Sequence, residues 1–117
     1  MITRQEVFDK ALAHLRAQGQ SSMRDDGYCL YRSPEGLKCA IGALVPDEKY
    51  NEDFEGQAAS AEAIYSLFDG NPQDAYFYGD LQGALHDDIS KYSDFPQRLE
   101  IAAQQFAQNK GLEYTAC

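Results

Sequence analysis

The sequence predicts an α+β fold in a single domain, residues 1–117, with about four helices packed around one β-hairpin. Apolar residues recur at helical spacing in several segments, and a turn signal separates two short extended segments near the middle of the chain. A chain of 117 residues is too short to divide into two pieces that each hold a core. Because an isolated hairpin is only marginally stable, we expect the helices to cover its apolar face.

The first helix is predicted over Arg4–Gln18. Thr3 and Glu6 have the spacing of a capping box, in which each side chain bonds the backbone amide of the other residue. Gly19 follows as the residue that can take the left-handed conformation at a helix end. The apolar positions of this segment recur three and four residues apart, at Phe8, Ala11, Leu12 and Leu15.

The hairpin is predicted around the turn Ser33–Gly36, which has proline and glycine where a tight turn requires them. A three-residue loop would pair Tyr31 with Cys39 and Cys29 with Ile41. This register places the apolar side chains on one face and the charged side chains on the other, whereas a two-residue loop would mix them.

Two further expectations concern the same segment. In the predicted register Cys29 and Cys39 are diagonal neighbours about 7–8 Å apart, farther than the roughly 5.5 Å between Cα atoms that a disulfide prefers. We therefore expect two buried thiols. One alternative stays open, in which Leu37–Cys39 is extended but Ala40–Val45 forms a short helix, because periodicity does not decide between them.

Three more helices are predicted in the second half of the chain. The second covers Gln57–Asp69, and the third covers Gln73–Ile89 despite Gly79 and Gly83 within it. Each of these glycines costs about 1 kcal/mol relative to alanine, which we expect close approach of a neighbouring element to offset. The last helix is predicted from Ser93-Asp94 to the stop at Gly111.

The net charge of −9 restricts the classes of partner. It argues against direct binding of nucleic acid and against anionic membrane surfaces. It is compatible with simple solubility, or with a surface that presents carboxylates to a basic protein. No apolar segment approaches the length of a membrane span and no secretory signal begins the chain, so with three cysteines the expected location is the cytoplasm, with free thiols.

An acidic loop follows the hairpin and is the predicted partner-binding surface, because aromatic residues alternate with carboxylates in it. A calcium loop is excluded, since its sixth residue should be glycine and its twelfth glutamate, whereas counting from Asp47 gives Glu52 and Ala58. The residues predicted to bind a partner are Asp47, Glu48, Tyr50, Glu52, Asp53, Phe54 and Glu55.

The residues that could carry catalysis are Cys39, His86 and Asp87, a combination suited to acyl transfer. A buried, inert core thiol and a local histidine–aspartate hydrogen bond are the simpler interpretation. A zinc site made by Cys29, Cys39, His86 and His14 is not expected, because structural zinc sites have closely paired ligands. The sequence therefore predicts no metal, no cofactor and, in the first interpretation, no catalytic residue.

A longer motif carries a resemblance to a known family. Cys29–Asp47 has the pattern C-x-Y-R-x-P-x-G-L-K-C-A-I-G-x-L-V-P-D, and Leu81–Asp87 has the pattern L-Q-x-x-L-H-D. The chain resembles a family of small proteins from bacteriophages, prophages and bacterial genomes, with Ser33 where the family pattern has glycine. The resemblance implies a phage or mobile-element origin and the cytoplasm of a bacterial host. It implies no catalytic residues.

These observations together predict a small acidic phage-type protein that acts by protein–protein binding. The expected role is inhibition of a host nucleic-acid-dependent defence complex, such as one of CRISPR interference, through competition for a basic channel. The alternative is a thiol-dependent hydrolase or transferase that uses Cys39 and His86. A homo-oligomeric assembly module is the third hypothesis, and it rests on Gly79-x-x-x-Gly83 and on tyrosines expected at the surface.

Overall fold

The computed structural model describes residues 1–116. In it the chain forms helices that are joined by short 3-10 turns. Helix α1 spans Arg4–Gln18, α2 spans Glu62–Tyr65, α3 spans Ala75–Gln82 and α4 spans Phe95–Lys110. A π-helical turn at Gly83–Asp87 continues α3. The 3-10 turns lie at Gly42–Leu44, Asp47–Lys49, Glu52–Phe54, Ser66–Phe68 and Pro72–Asp74.

Helix α1 confirms the prediction made from its local signals. The Glu6 amide donates to Oγ1 of Thr3 over 3.1 Å, and the Thr3 amide donates to Oε1 of Glu6 over 3.0 Å. At the other end Gly19 has φ of 74°, and its amide donates to the carbonyl of Leu15. Both ends are therefore fixed by residues adjacent in sequence, as a capping box and a left-handed stop require.

The predicted β-hairpin is wrong, and the α+β class is wrong with it. Residues 1–116 contain no β-strand, and the fold is helical. Isolated antiparallel bridges join Met23 to Cys29 and Arg32 to Lys38. The turn keeps the expected alignment for one step, because the Cys39 amide donates to the carbonyl of Tyr31 over 3.3 Å. The alternative of a short helix within Ala40–Val45 is closer to the structure, which has the 3-10 turn Gly42–Leu44 there.

The hairpin does not continue because the chain bends sharply after Cys39. The Ile41 amide donates to Oε1 of Gln82, a side chain of α3, rather than to an opposing strand. Gly42 lies directly against the backbone of Tyr31, where a Cβ atom would be 2.2 Å from the carbonyl oxygen. A side-chain acceptor therefore takes the place of the hydrogen bonds between strands that the sequence pattern suggested, and the backbone packs closely at Gly42.

The second predicted helix is much shorter than expected. The predicted range Gln57–Asp69 contains only α2 and the 3-10 turn after it. Asp69 ends this segment in the left-handed conformation, with φ of 59°. The preceding residues form successive turns, since the Gln57 amide donates to the carbonyl of Phe54 and the Ala61 amide to that of Ala58.

The third and fourth predicted helices are present, but the third ends in a π-helical turn. The predicted third helix becomes α3 and the π turn, and α4 ends at Gly111 with φ of 69°. Close approach was expected at both internal glycines. A Cβ atom at Gly79 would lie 3.5 Å from Ser60, an ordinary contact, and one at Gly83 would meet only a carboxylate oxygen of Asp88 at 3.7 Å. The expectation of a tight contact is therefore wrong at both glycines.

The core lies between α1, α3 and α4. The Phe106 ring of α4 stacks on Phe8 of α1 at 6.0 Å and contacts Phe77 of α3 at 5.5 Å. Tyr78 is fully buried beside Phe68, with ring centroids 5.2 Å apart. These ring contacts and their aliphatic neighbours form one continuous cluster. In the part of the chain that the structure describes, none of the helices combines the length and the apolar character needed to cross a bilayer.

Candidate functional site

A chain of hydrogen bonds around the π turn joins three separate parts of the sequence. The Ile41 amide donates to Oε1 of Gln82 over 2.8 Å, and Nε2 of Gln82 donates to Oδ1 of Asp87 over 2.7 Å. Nδ1 of His86 lies 2.9 Å from the same oxygen, and the Ser22 amide donates to Nε2 of His86 over 2.9 Å. We call the side chains of Gln82, His86 and Asp87 the π-turn network. It satisfies the buried backbone amides of Ile41 and Ser22.

The contacts of His86 fix which ring nitrogen carries the proton. The Ser22 amide can only donate, so Nε2 of His86 must accept and is unprotonated. Nδ1 therefore carries the hydrogen and donates it to Asp87. Both nitrogens are occupied, and the side chain is fully buried. His86 holds the chain together in this arrangement, and neither nitrogen is open to a substrate.

Asp87 is the charged member of the π-turn network. Burial works to raise the pKa of its carboxyl, but the hydrogen bonds from His86 and Gln82 outweigh it and hold the pKa below its usual value. Its side chain is 42% exposed, so the ionised carboxylate can be reached from solvent. It is the member of the network available to a ligand.

Cys39 does not join the two residues with which it was grouped. It is 1% exposed, and its Sγ accepts a hydrogen bond from the Gly42 amide at 3.3 Å. Burial raises the pKa of its thiol strongly, which keeps it protonated and weakly nucleophilic. His86 and Asp87 are paired with each other, whereas the thiol of Cys39 is bonded to the Gly42 amide. The arrangement disfavours a thiol enzyme centred on Cys39.

Cys29 is the cysteine that the fold brings to His86 and Asp87. One ligand atom from each of the three lies within 4.8 Å of the others. Cys29 is half-buried, and its Sγ lies 3.4 Å from the hydroxyl of Ser90. Burial raises the pKa of its thiol, and the negative charge of Asp87 adds to the shift. Cys29 is therefore also a poor nucleophile.

The cluster of Cys29, His86 and Asp87 fits a metal poorly for a reason of hydrogen bonding. A metal bound at Nδ1 of His86 would force the ring proton onto Nε2. That nitrogen faces the Ser22 amide, which is itself a donor, so two hydrogens would point at each other. His14, the other histidine considered for zinc, bonds Gln18 within α1.

Gln82 is the member of the network that sequence reasoning missed. It is 6% exposed, and its amide group links Ile41 to Asp87. The available signal was a polar residue directly after Leu81, on the side of α3 that the apolar spacing turns toward the core. A buried glutamine requires partners for both ends of its amide, and that requirement was the clue.

The acidic loop divides into residues that point inward and residues that point outward. Glu55 points inward: its carboxylate accepts hydrogen bonds from the amides of Tyr31 and Arg32 at 2.8 and 3.1 Å. It also accepts from the hydroxyl of Tyr50 at 2.6 Å. Phe54 is half-buried against the core. These residues hold the turn Ser33–Gly36 and the loop to each other.

Asp47 and Tyr50 form a second set of contacts around Arg32. The guanidinium lies 5.0 Å from the centre of the Tyr50 ring, and its Nη1 pairs with Asp47 at 2.8 Å. Nζ of Lys38 approaches the same carboxylate at 3.5 Å, and these two cations lower the pKa of Asp47. Asp47 is thus exposed but already neutralised.

Glu48, Glu52 and Asp53 are the predicted loop residues that remain fully available. All three are exposed, and none belongs to an ion pair found within residues 1–116. The loop therefore presents three unneutralised carboxylates on a scaffold fixed by Glu55 and the Arg32 contacts.

Most of the ten lysines and arginines are held in ion pairs within the chain. The chain has nineteen acidic residues against ten basic ones, so a net charge of −9 remains spread over the surface after these cations are neutralised locally. The paired cations are Arg4 with Asp74, Arg16 with Glu100, Arg24 with Asp26, Arg98 with Asp94, Lys110 with Asp80, and Arg32 and Lys38 with Asp47.

An open cavity of about 250 Å³ lies beside the π-turn network. Its walls come from residues 29–31, from Cys39, from residues 56–59 at the end of the acidic loop, and from Gln82 and Asp87. Chain comparison with protein-family models, with curated proteins and with solved structures finds no match.

Proposed function

We propose that this chain is a binding protein whose acidic surface engages a basic protein partner. In the setting that the sequence motif implies, the partner is a nucleic-acid-binding host factor in the bacterial cytoplasm. The protein then inhibits a defence complex, such as one of CRISPR interference, by occupying a channel that otherwise holds nucleic acid.

The observation that carries the proposal is the exposed, unneutralised set Glu48, Glu52 and Asp53 on a braced loop. A net charge of −9 with most cations already paired leaves a negative field that attracts a basic patch and accelerates encounter. The loop is held by Glu55, so binding requires little ordering of its backbone.

Capture of partners from a bacterial lysate, followed by a direct competition measurement, tests the proposal. Binding of target DNA by a purified CRISPR effector complex is measured with and without the protein over a range of salt. We expect inhibition that weakens steeply as salt rises, because the screening length falls from about 10 Å at 0.1 M to about 3 Å at 1 M. Salt-independent inhibition, or none, contradicts charge-based competition.

A matched pair of variants assigns the effect to the loop. The triple variant Glu48→Gln, Glu52→Gln, Asp53→Asn removes three charges from the loop. The control Asp25→Asn, Glu62→Gln, Glu113→Gln removes an equal number of charges from exposed positions outside the loop. We expect the first variant to lose most of its inhibition and the control to keep most of it. Equal losses would assign the effect to net charge alone.

A further inference from the structure

The cavity beside the π-turn network has one formal charge in its wall. Among the residues that line it, Asp87 alone is ionisable as a carboxylate, and no lysine or arginine lines it. The remaining wall is made by Cys29, Cys39 and Tyr31 and by residues with small or uncharged side chains. A ligand in the cavity therefore meets a single negative charge in mostly neutral surroundings.

The carboxylate of Asp87 is held in position before any ligand arrives. Hydrogen bonds from His86 and Gln82 both fall on Oδ1, at 2.9 and 2.7 Å. A carboxylate offers about four lone-pair positions, so acceptor capacity remains after these two bonds. The two side chains that donate to Asp87 are themselves held by backbone amides, Gln82 by that of Ile41 and His86 by that of Ser22. Such a supported, ionised group is what a preorganised ligand site requires.

The surroundings exclude other classes of ligand. An anion would be repelled by Asp87, and a neutral ligand would cover the carboxylate without compensating its charge. A metal at the histidine is opposed by the Ser22 amide, as described above. The volume of about 250 Å³ falls below the range of roughly 300–1,000 Å³ typical of drug-sized ligands. A short organic cation meets all of these limits.

We propose that this cavity binds one primary alkylammonium group, with Asp87 as its counter-charge and the neutral wall around its alkyl chain. The ammonium has three donors and no acceptor, which complements a carboxylate whose remaining capacity is for accepting. Two sources supply this chemistry, a free small amine and the side chain of a lysine on a bound protein.

The position of the cavity connects it with the acidic loop. Residues 56–59 continue directly from Glu55, so a basic segment lying on the loop could place a lysine in the cavity. This lysine form rests on the proposed function, whereas binding of a free amine does not.

The test is an amide NMR titration of the full chain with n-butylammonium chloride at constant ionic strength. The matched control ligand is 1-butanol, which has the same alkyl chain and no charge. Nα-acetyl-lysine amide and Nα-acetyl-norleucine amide form a second pair that represents the protein source. We expect saturable shifts in residues 29–31 and 56–59 with both amines, and shifts at least about tenfold weaker in apparent affinity with both neutral ligands.

Three variants test whether binding depends on the Asp87 carboxylate and on the cavity. Asp87→Asn keeps an oxygen to accept from His86 and Gln82 but removes the charge, and Asp88→Asn makes the same change at the exposed neighbouring residue. We expect the first to weaken butylammonium binding at least about tenfold and the second to leave it unchanged. Ala58→Leu narrows the cavity without altering charge and should also abolish binding, which keeps the proposal testable if Asp87→Asn does not fold.

Several results would overturn the proposal. They are equal binding of 1-butanol, undiminished binding to Asp87→Asn or Ala58→Leu, and shifts spread over all exposed carboxylates. Binding of butylammonium without acetyl-lysine amide supports the free-amine form. None of these titrations involves the loop carboxylates or a host complex, so failure here is separate from failure of the salt-dependent competition.

Discussion

The backbone amide of Ser22 donates to Nε2 of His86 across 2.9 Å, although 64 positions separate the two residues. The bond lies in the buried interior and fixes the linker after α1 to the end of the π turn. It leaves the imidazole no free nitrogen, because Nδ1 is bonded to Asp87. A histidine that sequence reasoning placed among candidate catalytic groups is therefore a structural link.

Replacing His86 by alanine should destabilise the protein. The change leaves the buried Ser22 amide without an acceptor, removes a donor from Asp87 and opens a cavity next to Phe95. We expect a loss of roughly 2–4 kcal/mol in the free energy of unfolding. Urea denaturation followed by circular dichroism measures it. His14→Ala, which removes one partly exposed hydrogen bond with Gln18, should lose under about 1 kcal/mol, and similar losses in the two variants would contradict this role.

Glu55→Ala should destabilise the protein although the residue lies in an acidic loop. Its carboxylate accepts from two consecutive amides and from Tyr50, and alanine would leave those partly buried donors unpaired. We expect a loss of roughly 2–3 kcal/mol. Glu55→Gln should recover part of it, because one oxygen acceptor remains.

The matched control for Glu55 is Glu52→Ala in the same loop. Glu52 is exposed, so the free energy of unfolding should change by no more than about 0.5 kcal/mol. Denaturant midpoints compared at equal slopes measure both variants. If Glu55→Ala matched Glu52→Ala in stability, the loop would not be braced as described.

Gly42→Ala should destabilise the protein, whereas Gly83→Ala should not. A Cβ atom at Gly42 would lie 2.2 Å from the Tyr31 carbonyl oxygen and 2.9 Å from its carbon, both backbone atoms that cannot move alone. We expect a loss above about 2 kcal/mol. At Gly83 the nearest atom is 3.7 Å away and φ is −63°, so alanine should be neutral or stabilising by up to about 1 kcal/mol. Thermal unfolding of both variants provides the comparison, and a tolerated alanine at position 42 would refute the close approach.

The two internal thiols should differ in accessibility and share a low reactivity. Burial raises the pKa of both Cys29 and Cys39, but Cys39 is fully enclosed whereas Cys29 is half-buried. In a Cys117→Ser background, which leaves only these two thiols, we expect Ellman's reagent to react slowly at Cys29 and not at Cys39 until the protein is unfolded. Rapid modification of Cys39 in the folded protein would reopen the thiol-enzyme hypothesis.

The same pKa shifts give the protein a stability that falls in alkali. A thiol with a raised pKa keeps its proton when folded, while the unfolded chain releases it above its usual value near 8.5. Because the folded state then binds more protons, stability is fully present below that pH and is lost as pH rises. Denaturation midpoints in the Cys117→Ser background should decline above about pH 8.5, and less so when Cys39 is replaced by alanine.

Local signals predicted the parts of this fold that depend on neighbours in sequence. Helix α1 has the predicted bounds, since Thr3, Glu6 and Gly19 act on residues beside them. The prediction of a hairpin was wrong because the hydrogen bonds of this segment are made with groups that are distant in sequence. Gln82 takes the amide of Ile41, and Glu55 takes those of Tyr31 and Arg32, so the chain no longer needs a partner strand.

The residues of the candidate site were also predicted only in part. His86 and Asp87 were selected because they are adjacent, and they do bond each other. Their cysteine was misassigned, because the bend after Cys39 encloses that thiol and leaves Cys29 beside the carboxylate. Gln82 lies in the L-Q-x-x-L-H-D motif but was assigned no role, and the need to pair a buried amide group was the signal that could have indicated one.

The isolated bridges have a consequence for association between molecules. A sheet exposes a row of unpaired amides and carbonyls at its margin, onto which another chain can add. Residues 1–116 form no such margin, and the amides that an edge strand would have shown are capped by Glu55 and Gln82. The amides of Tyr31, Arg32 and Ile41 therefore become available to another chain only after these side-chain caps are lost.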